Sequence, residues 1–276
     1  MNNNFDFIIR PNKKVTTFIS EIWEYRDLFY FLALRDFKVR YKQTIVGSLW
    51  AILRPLMTML VFTIVFGKIA ALPSQGQAPY SILVFSAMLP WFFFSSSFQD
   101  GSNALVSNAN MISKIYFPRI IIPISSLFVN AVDFIISFFL LLLLMIFLQY
   151  PPTYKIIALP VFFLISAAFT GAAIIWMSAL NVKYRDIRYI IPFIVQFGLF
   201  ISPVGFSSTV MSNEWRYVYS LNPLVGIIDG FRWSILDENV SFYWPGFFLS
   251  IFVTIALLFT GYLYFRKTEN KFADII

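Results

Sequence analysis

The sequence predicts an all-α integral membrane protein of six transmembrane helices. Three observations predict it. Only 13% of the residues are charged while 59% are hydrophobic, against about 25% charge in soluble domains. Apolar runs of about 20 residues, enough to cross a bilayer as helix, recur along the chain. Lys and Arg gather on alternate connecting segments, as basic residues that resist translocation do. The absence of Cys and His excludes disulfides and thiolate chemistry and removes the commonest metal ligand and general base.

The N-terminal segment, residues 1–26, is polar and basic, and no small-residue cleavage site follows the first apolar stretch. A cleaved secretory signal is therefore not expected. Residues 27–42 follow a different pattern from a span. Tyr30, Leu34, Phe37 and Tyr41 share one helical stripe, and Arg35, Lys38 and Lys42 a second. Asp36 stands four residues before Arg40, a spacing that allows a helical ion pair. Such a helix suits the membrane interface, with its basic face toward anionic headgroups; packing on another subunit is compatible with the same pattern.

Six spans are expected, at about residues 48–69, 80–99, 120–148, 155–180, 189–207 and 243–265, with a tail over 266–276. With the N-terminus inside, sixteen basic residues fall on the inner side. Only Lys68, Lys155, Arg216 and Arg232 fall outside, and Arg54 lies within the first span. Both termini are thus expected in the cytoplasm.

Chemistry-bearing positions are few. No Gly-x-x-x-x-Gly-Lys-Ser/Thr loop occurs, since Gly67-Lys68 is followed by Ile69 and lacks the upstream glycine. A nucleotide, if used, binds to another chain. Arg54 and Asp133 are the ionisable residues inside spans, where charge is costly. Arg54 can snorkel to the inner headgroups. Asp133, with Asn130 three residues earlier, is either functional or a structural carboxylate bonded to a neighbouring helix. Trp91, Phe92 and Phe93 precede Ser96 in the second span and suit a path for sugars, which stack on rings and bond to hydroxyls; an aromatic belt with close helix packing is the plainer reading. The segment 100–103, Asp-Gly-Ser-Asn, supplies N-cap candidates for a short helix over 104–115. Asn222-Pro223 marks another helix start, and Asp229 and Arg232 are spaced to pair locally. The aromatic loop around them is expected to form short helices dipping into the outer leaflet, against protein or a water-filled cavity.

Several stretches in order resemble a known family. They are Tyr41-Lys42-x-x-x-x-Gly47-x-x-Trp50-Ala51-Ile52-Leu53-Arg54-Pro55, Leu89-Pro90-Trp91-Phe92-Phe93-Phe94, Lys114-Ile115-Tyr116-Phe117-Pro118-Arg119 and Asn181-Val182-Lys183-Tyr184-Arg185-Asp186. Leu221-Asn222-Pro223 through Asp229-Gly230-Phe231-Arg232-Trp233 continues the series, and Phe265-Arg266-Lys267-Thr268-Glu269-x-x-Phe272-Ala273-Asp274 closes it. Together they resemble the ABC-2 type permeases that export polysaccharides. Ala87 stands where glycine is common in that family, and Asp229 where glutamate is usual.

The resemblance implies a homodimer with a channel at its centre, driven by two copies of a separate cytoplasmic ABC ATPase that carries the ATP and Mg²⁺. It implies no cofactor or catalytic residue on this chain and no nucleic-acid partner. The cargo is expected to be a polysaccharide on an undecaprenyl pyrophosphate carrier, commonly O-antigen, in a bacterial inner membrane. Residues 27–42 become the interface helix, with Arg35, Lys38, Arg40 and Lys42 toward the lipid pyrophosphate. Asn108, Met111 and Lys114 fall on a coupling helix that docks on the ATPase, and Arg185 and Asp186 on a second contact. Trp91, Phe92, Phe93, Ser96, Asn130 and Asp133 are expected to line the channel. Asn222, Pro223, Asp229 and Arg232 fall in re-entrant gate helices at the periplasmic side. Rival readings are a teichoic-acid or small hydrophobic-molecule exporter, and a membrane enzyme acting on lipid-linked glycans.

Overall fold

The computed structural model describes residues 23–42, 47–115, 117–236 and 240–272. Arg10, Lys13, Lys14, Tyr116, Asp237, Glu238, Ala273 and Asp274 lie outside them. Among the described residues every regular element is a helix: α1 (Arg26–Lys42), α2 (Gly47–Phe62), α3 (Tyr80–Ser107), α4 (Ala109–Ile112), α5 (Ile121–Phe147), α6 (Leu159–Lys183), α7 (Ile187–Ile201), α8 (Asn213–Tyr219), α9 (Pro223–Ile235) and α10 (Trp244–Glu269), with short helical turns between some of them. Among the described residues five stretches are long and apolar enough to cross a membrane: Leu49–Ile69, Tyr80–Ser107, Ile121–Phe147, Tyr154–Lys183 and Trp244–Glu269. The sixth expected span is the shorter α7, whose 15 residues rise about 22 Å. Its polypeptide then leaves the helix at Ser202.

The α3 helix is the axis of the fold. Residues from Ile82 to Leu105 along it are mostly buried, and it packs against α5, α6, α9, α2 and α7. Small residues on α3 let neighbours approach, the usual means of tight packing in lipid. At Gly101, a Cβ would lie 2.7 Å from Ile174 Cγ2 on α6. That contact explains a departure from the sequence reading, which broke the helix before residue 103. Asp100, Gly101, Ser102 and Asn103 continue the helix, and the Asn103 side chain donates to the Gln99 carbonyl at 2.8 Å instead of capping a new one. The break comes at Asn108, before the single turn of α4.

Opposite in character is α2, of which little is buried, with Trp50, Met57, Leu60 and Val61 exposed. Past Phe62 it widens into π-helical turns over Thr63–Ile69.

Two cores form. The larger is built from α3, α5, α6, α9 and parts of their neighbours, and is rich in interlocked Phe rings such as Phe93, Phe134 and Phe163. The smaller lies at the basic end of the bundle. There Leu32, Leu105, Ile112, Phe117, Ile120, Phe265 and Phe272 bring α1, the α3–α5 connection and the end of α10 together. Glu269 completes this junction. Its Oε1 accepts from the Arg119 backbone N–H at 2.9 Å, its carbonyl accepts from the Arg119 guanidinium, and Arg266 donates to its Oε2 at 2.7 Å.

The α1 helix turns a different face inward from the aromatic stripe of the sequence reading. Leu32 and Ala33 are buried, and Asp36 and Arg40 continue that side at helical spacing, while Tyr30 and Phe31 are exposed. It rests chiefly on α5.

Candidate substrate path, coupling surface and outer gate

Where α1 meets the bundle, Arg40 holds three helices together. Its Nη1 donates to Asp133 Oδ2 at 2.7 Å and to Asn130 Oδ1 at 2.9 Å on α5, and its Nη2 donates to Asp100 Oδ2 at 2.5 Å on α3. Asn130 Nδ2 in turn donates to Asp100 at 3.0 Å. The Tyr41 hydroxyl donates to the other Asp133 oxygen. Burial raises the Tyr41 phenol above its ordinary pKa, and the hydrogen bond to Asp133 raises it further, so Tyr41 stays a donor. Burial also works against the Arg40 charge, but Asp100 and Asp133 outweigh it and the net shift is upward. Sequence reasoning placed Arg40 on the headgroup side and Asp100 at a helix cap. The signal that joins them is Asp133 itself, a carboxylate in an apolar span that requires a cation.

Beside this hub lies a cavity of about 320 Å³ between α1, α2, α3 and α5. Of the residues expected along a path, Phe92, Phe93, Ser96, Asn130 and Asp133 line it, and so does Arg54, whose guanidinium sits 5.1 Å over the Phe92 ring. Trp91 does not line it. It is buried against α7, where Gly198 makes room: a Cβ there would come within 2.8 Å of Trp91 Cη2. Three consecutive aromatics on a helix point in three directions, so one sequence run serves both cavity and packing. A second, larger cavity of about 860 Å³ adjoins the first at Arg40, Gln99 and Asp100 and continues past Arg35 to Asn108. Arg35 is held by Asp36 at 2.7 Å; Lys38 and Lys42 are exposed.

At the basic end, Met111 is half-buried and Lys114 and Ile115 are exposed beyond the α4 turn. Arg185 and Asp186 are exposed on the α6–α7 turn. Asn181 joins the two regions, donating to the Ser102 carbonyl at 2.8 Å and to Asn103 Oδ1 at 3.0 Å.

At the opposite end, Asn222 caps α9 by accepting from Leu224 N–H at 3.1 Å, with Pro223 in its first turn. The local Asp229–Arg232 pairing expected from their spacing is replaced by longer reaches. Asp229 accepts from Arg216 Nη2 at 3.1 Å and from Ser208 Oγ at 2.6 Å. Arg232, with no exposed surface, donates to the carbonyls of Phe206 at 2.8 Å, Val204 at 3.2 Å and Leu83 at 3.4 Å. The physical reason is that α7 ends early: its downstream strand of loop, 202–207, leaves carbonyls without helical partners in a buried place, and Arg232 satisfies them. Arg216 also stacks 4.3 Å over Tyr243. No sequence pattern singles out Arg216 as the partner of Asp229.

Comparison with known proteins adds the following. The ABC-2 type transporter family profile matches residues 27–236. The O-antigen export system permease protein RfbA of Myxococcus xanthus is 28% identical over 260 residues, covering 94% of this chain and 98% of that protein. A protein of the same name from Klebsiella pneumoniae is 25% identical over 252 residues, covering 91% and 95%. The polysialic acid transport protein KpsM of Escherichia coli is 23% identical over 254 residues, covering 87% and 92%.

Proposed function

The chain belongs to the ABC-2 type transporter family, and from that premise we propose that it is the permease subunit of an ATP-driven exporter of lipid-linked polysaccharide. The observation that carries this reading is the near full-length similarity to O-antigen and polysialic acid export permeases. It is supported by a polar, aromatic-walled cavity at the level of the interface helix. The cargo is a glycan on undecaprenyl pyrophosphate, O-antigen in the first instance, moved from cytoplasm to periplasm. The basic end of the bundle faces the cytoplasm, both termini with it, in a bacterial inner membrane. A second copy completes the channel, its subunit contact made through the bare flank of α2. Two ATPase subunits, holding ATP and Mg²⁺, dock on Asn108, Met111, Lys114, Arg185 and Asp186. Asn222, Pro223, Asp229 and Arg232 shape the outer gate. A membrane enzyme acting on glycans is disfavoured because Asp229, a carboxylate on the outer side, is committed to Arg216 and Ser208.

The test is transport of labelled lipid-linked glycan into proteoliposomes that hold the permease with its ATPase. ATP-dependent uptake is expected; glycan polymerisation or ligation by the chain without any ATPase sinks the reading. Scrambling residues 108–114 is expected to cut export at least tenfold while ATP hydrolysis and membrane insertion persist. Export at the parental rate with the scrambled segment removes that segment from coupling. Lys38→Glu together with Lys42→Glu is expected to lower export several-fold, whereas Lys13→Ala with Lys14→Ala changes it less than twofold. Equal losses in the two pairs point to bulk surface charge instead.

A further inference from the structure

The cavity beside α1 has two walls of different chemistry. On the inner wall, the Arg40 charge is matched by Asp100 and Asp133. Carboxylate oxygens have lone pairs beyond those that Arg40 and Tyr41 occupy, and Ser96 and Asn130 stand beside them. With Phe92 and Phe93 adjoining, this wall offers hydrogen-bonding oxygens and amides next to carbon-rich ring faces. A sugar ring needs both. With two carboxylates against one guanidinium the wall keeps one net negative charge, so it takes neutral sugar hydroxyls and turns a phosphate toward the cavity margin.

Arg54 stands apart from that balance. It is exposed at the cavity margin, its guanidinium is steadied over Phe92, and among the described residues it forms no ion pair with a carboxylate. A guanidinium in that state is a fitted partner for phosphate, which it binds with two parallel N–H bonds. Its position on α2, at the basic end of a span, is also the depth at which a lipid phosphate sits while its acyl or prenyl chain stays in the membrane.

We propose that this cavity seats the sugar–phosphate junction of a lipid-linked glycan, with Arg54 on the phosphate and the Asp133–Asn130–Ser96 wall on the first saccharide ring. This rests on the function proposed above and narrows it. A volume of about 320 Å³ lies at the small end of ligand sites and suits one ring beside Arg54, and the larger cavity that adjoins it at Arg40 and Asp100 leaves room for the sugars that follow. The exporter therefore identifies its cargo by the lipid-attached end, which is common to chains of any length, and the repeating sugars need only fit the path behind it.

The experiment uses the full-length permease with its ATPase in lipid nanodiscs. Two probes are compared: a polyprenyl pyrophosphate bearing one N-acetylglucosamine, and the same polyprenyl pyrophosphate without sugar. The native protein is expected to bind the glycosylated probe at least tenfold more tightly. Arg54→Gln weakens binding of both probes about tenfold or more, and Arg54→Lys restores part of it. Ser96→Leu, which fills the cavity, removes the preference for the glycosylated probe and leaves the bare one bound as before. Parental binding of both probes by Arg54→Gln and Ser96→Leu overturns the site. So does equal affinity of the native protein for the two. In either case, glycan export by the native complex leaves the function standing; absence of both export and probe binding removes function and site together.

Discussion

Replacing Arg232 by alanine is expected to destroy the fold of the outer half of the protein. The side chain is among the largest that are wholly buried, and its three donor contacts fall on backbone carbonyls of α3 and of the segment after α7. Alanine leaves those carbonyls dry and unpaired and opens a cavity of several side-chain atoms. Hydrogen bonds to a charged donor contribute about 1.5–3 kcal/mol each, and removal of a buried network with cavity formation belongs to the rare class above about 4 kcal/mol. The purified variant is expected to lose most of its yield, and what remains to melt at least 10 °C lower in detergent. Arg232→Lys keeps a cation but only a single point of donation, so its melting temperature should fall between the two. A melting temperature for Arg232→Ala within 2 °C of the parent contradicts this assignment.

The second large effect is expected at Arg40. Arg40→Ala removes the guanidinium paired with Asp133 and leaves two carboxylates and an amide facing one another across α3 and α5. Breaking a fully buried pair costs about 3–5 kcal/mol. Arg40 and both acids keep between 30% and 43% of their surface, so screening reduces the loss to about 1–3 kcal/mol. The consequence is local. The α1 helix, held on α5 mainly by Leu32, Ala33 and this hub, should loosen, and hydrogen exchange of its amides should quicken at least tenfold while those of α5 hold. Arg40→Lys should rescue it only in small part, because a single ammonium lacks the planar fork by which Arg40 reaches Asp133 and Asp100 from separate nitrogens. Unaltered exchange in α1 would mean that apolar packing alone seats it.

Much of the architecture is legible from the residues. Apolar run length places the helices because lipid forces each backbone segment to satisfy its own hydrogen bonds, and Asn222-Pro223 states where α9 begins. Other features depend on contacts that no local pattern encodes. The 100–103 stretch reads as a helix start because Asp, Gly, Ser and Asn are cap-forming residues. In the fold Gly101 is instead the point of close approach to Ile174, and Asn103 bonds back to its own helix. The α1 stripe of Tyr30, Leu34, Phe37 and Tyr41 is real as a periodicity, yet the inward side is set by what Asp133 and Asp100 demand, namely Arg40. Asp229 and Arg232 have the spacing of a pair, but Arg216 and the loop carbonyls compete successfully, since a buried carbonyl without a partner costs more than an ion pair gained. For the candidate site, Phe92, Phe93, Ser96, Asn130 and Asp133 are found together, whereas the orientation of Trp91 is fixed by Gly198, some hundred positions away in the chain.

The clasp between Arg119 and Glu269 has a mechanical outcome. It fastens the start of α5 to the last turn of α10, a rod of 26 residues and about 39 Å. The far half of that rod lies along α9, where Gly226 and Ser250 meet. The same rod packs along α6 on the way, so one continuous helix ties the loop before α5 to the segment that meets α9 near the opposite end of the bundle.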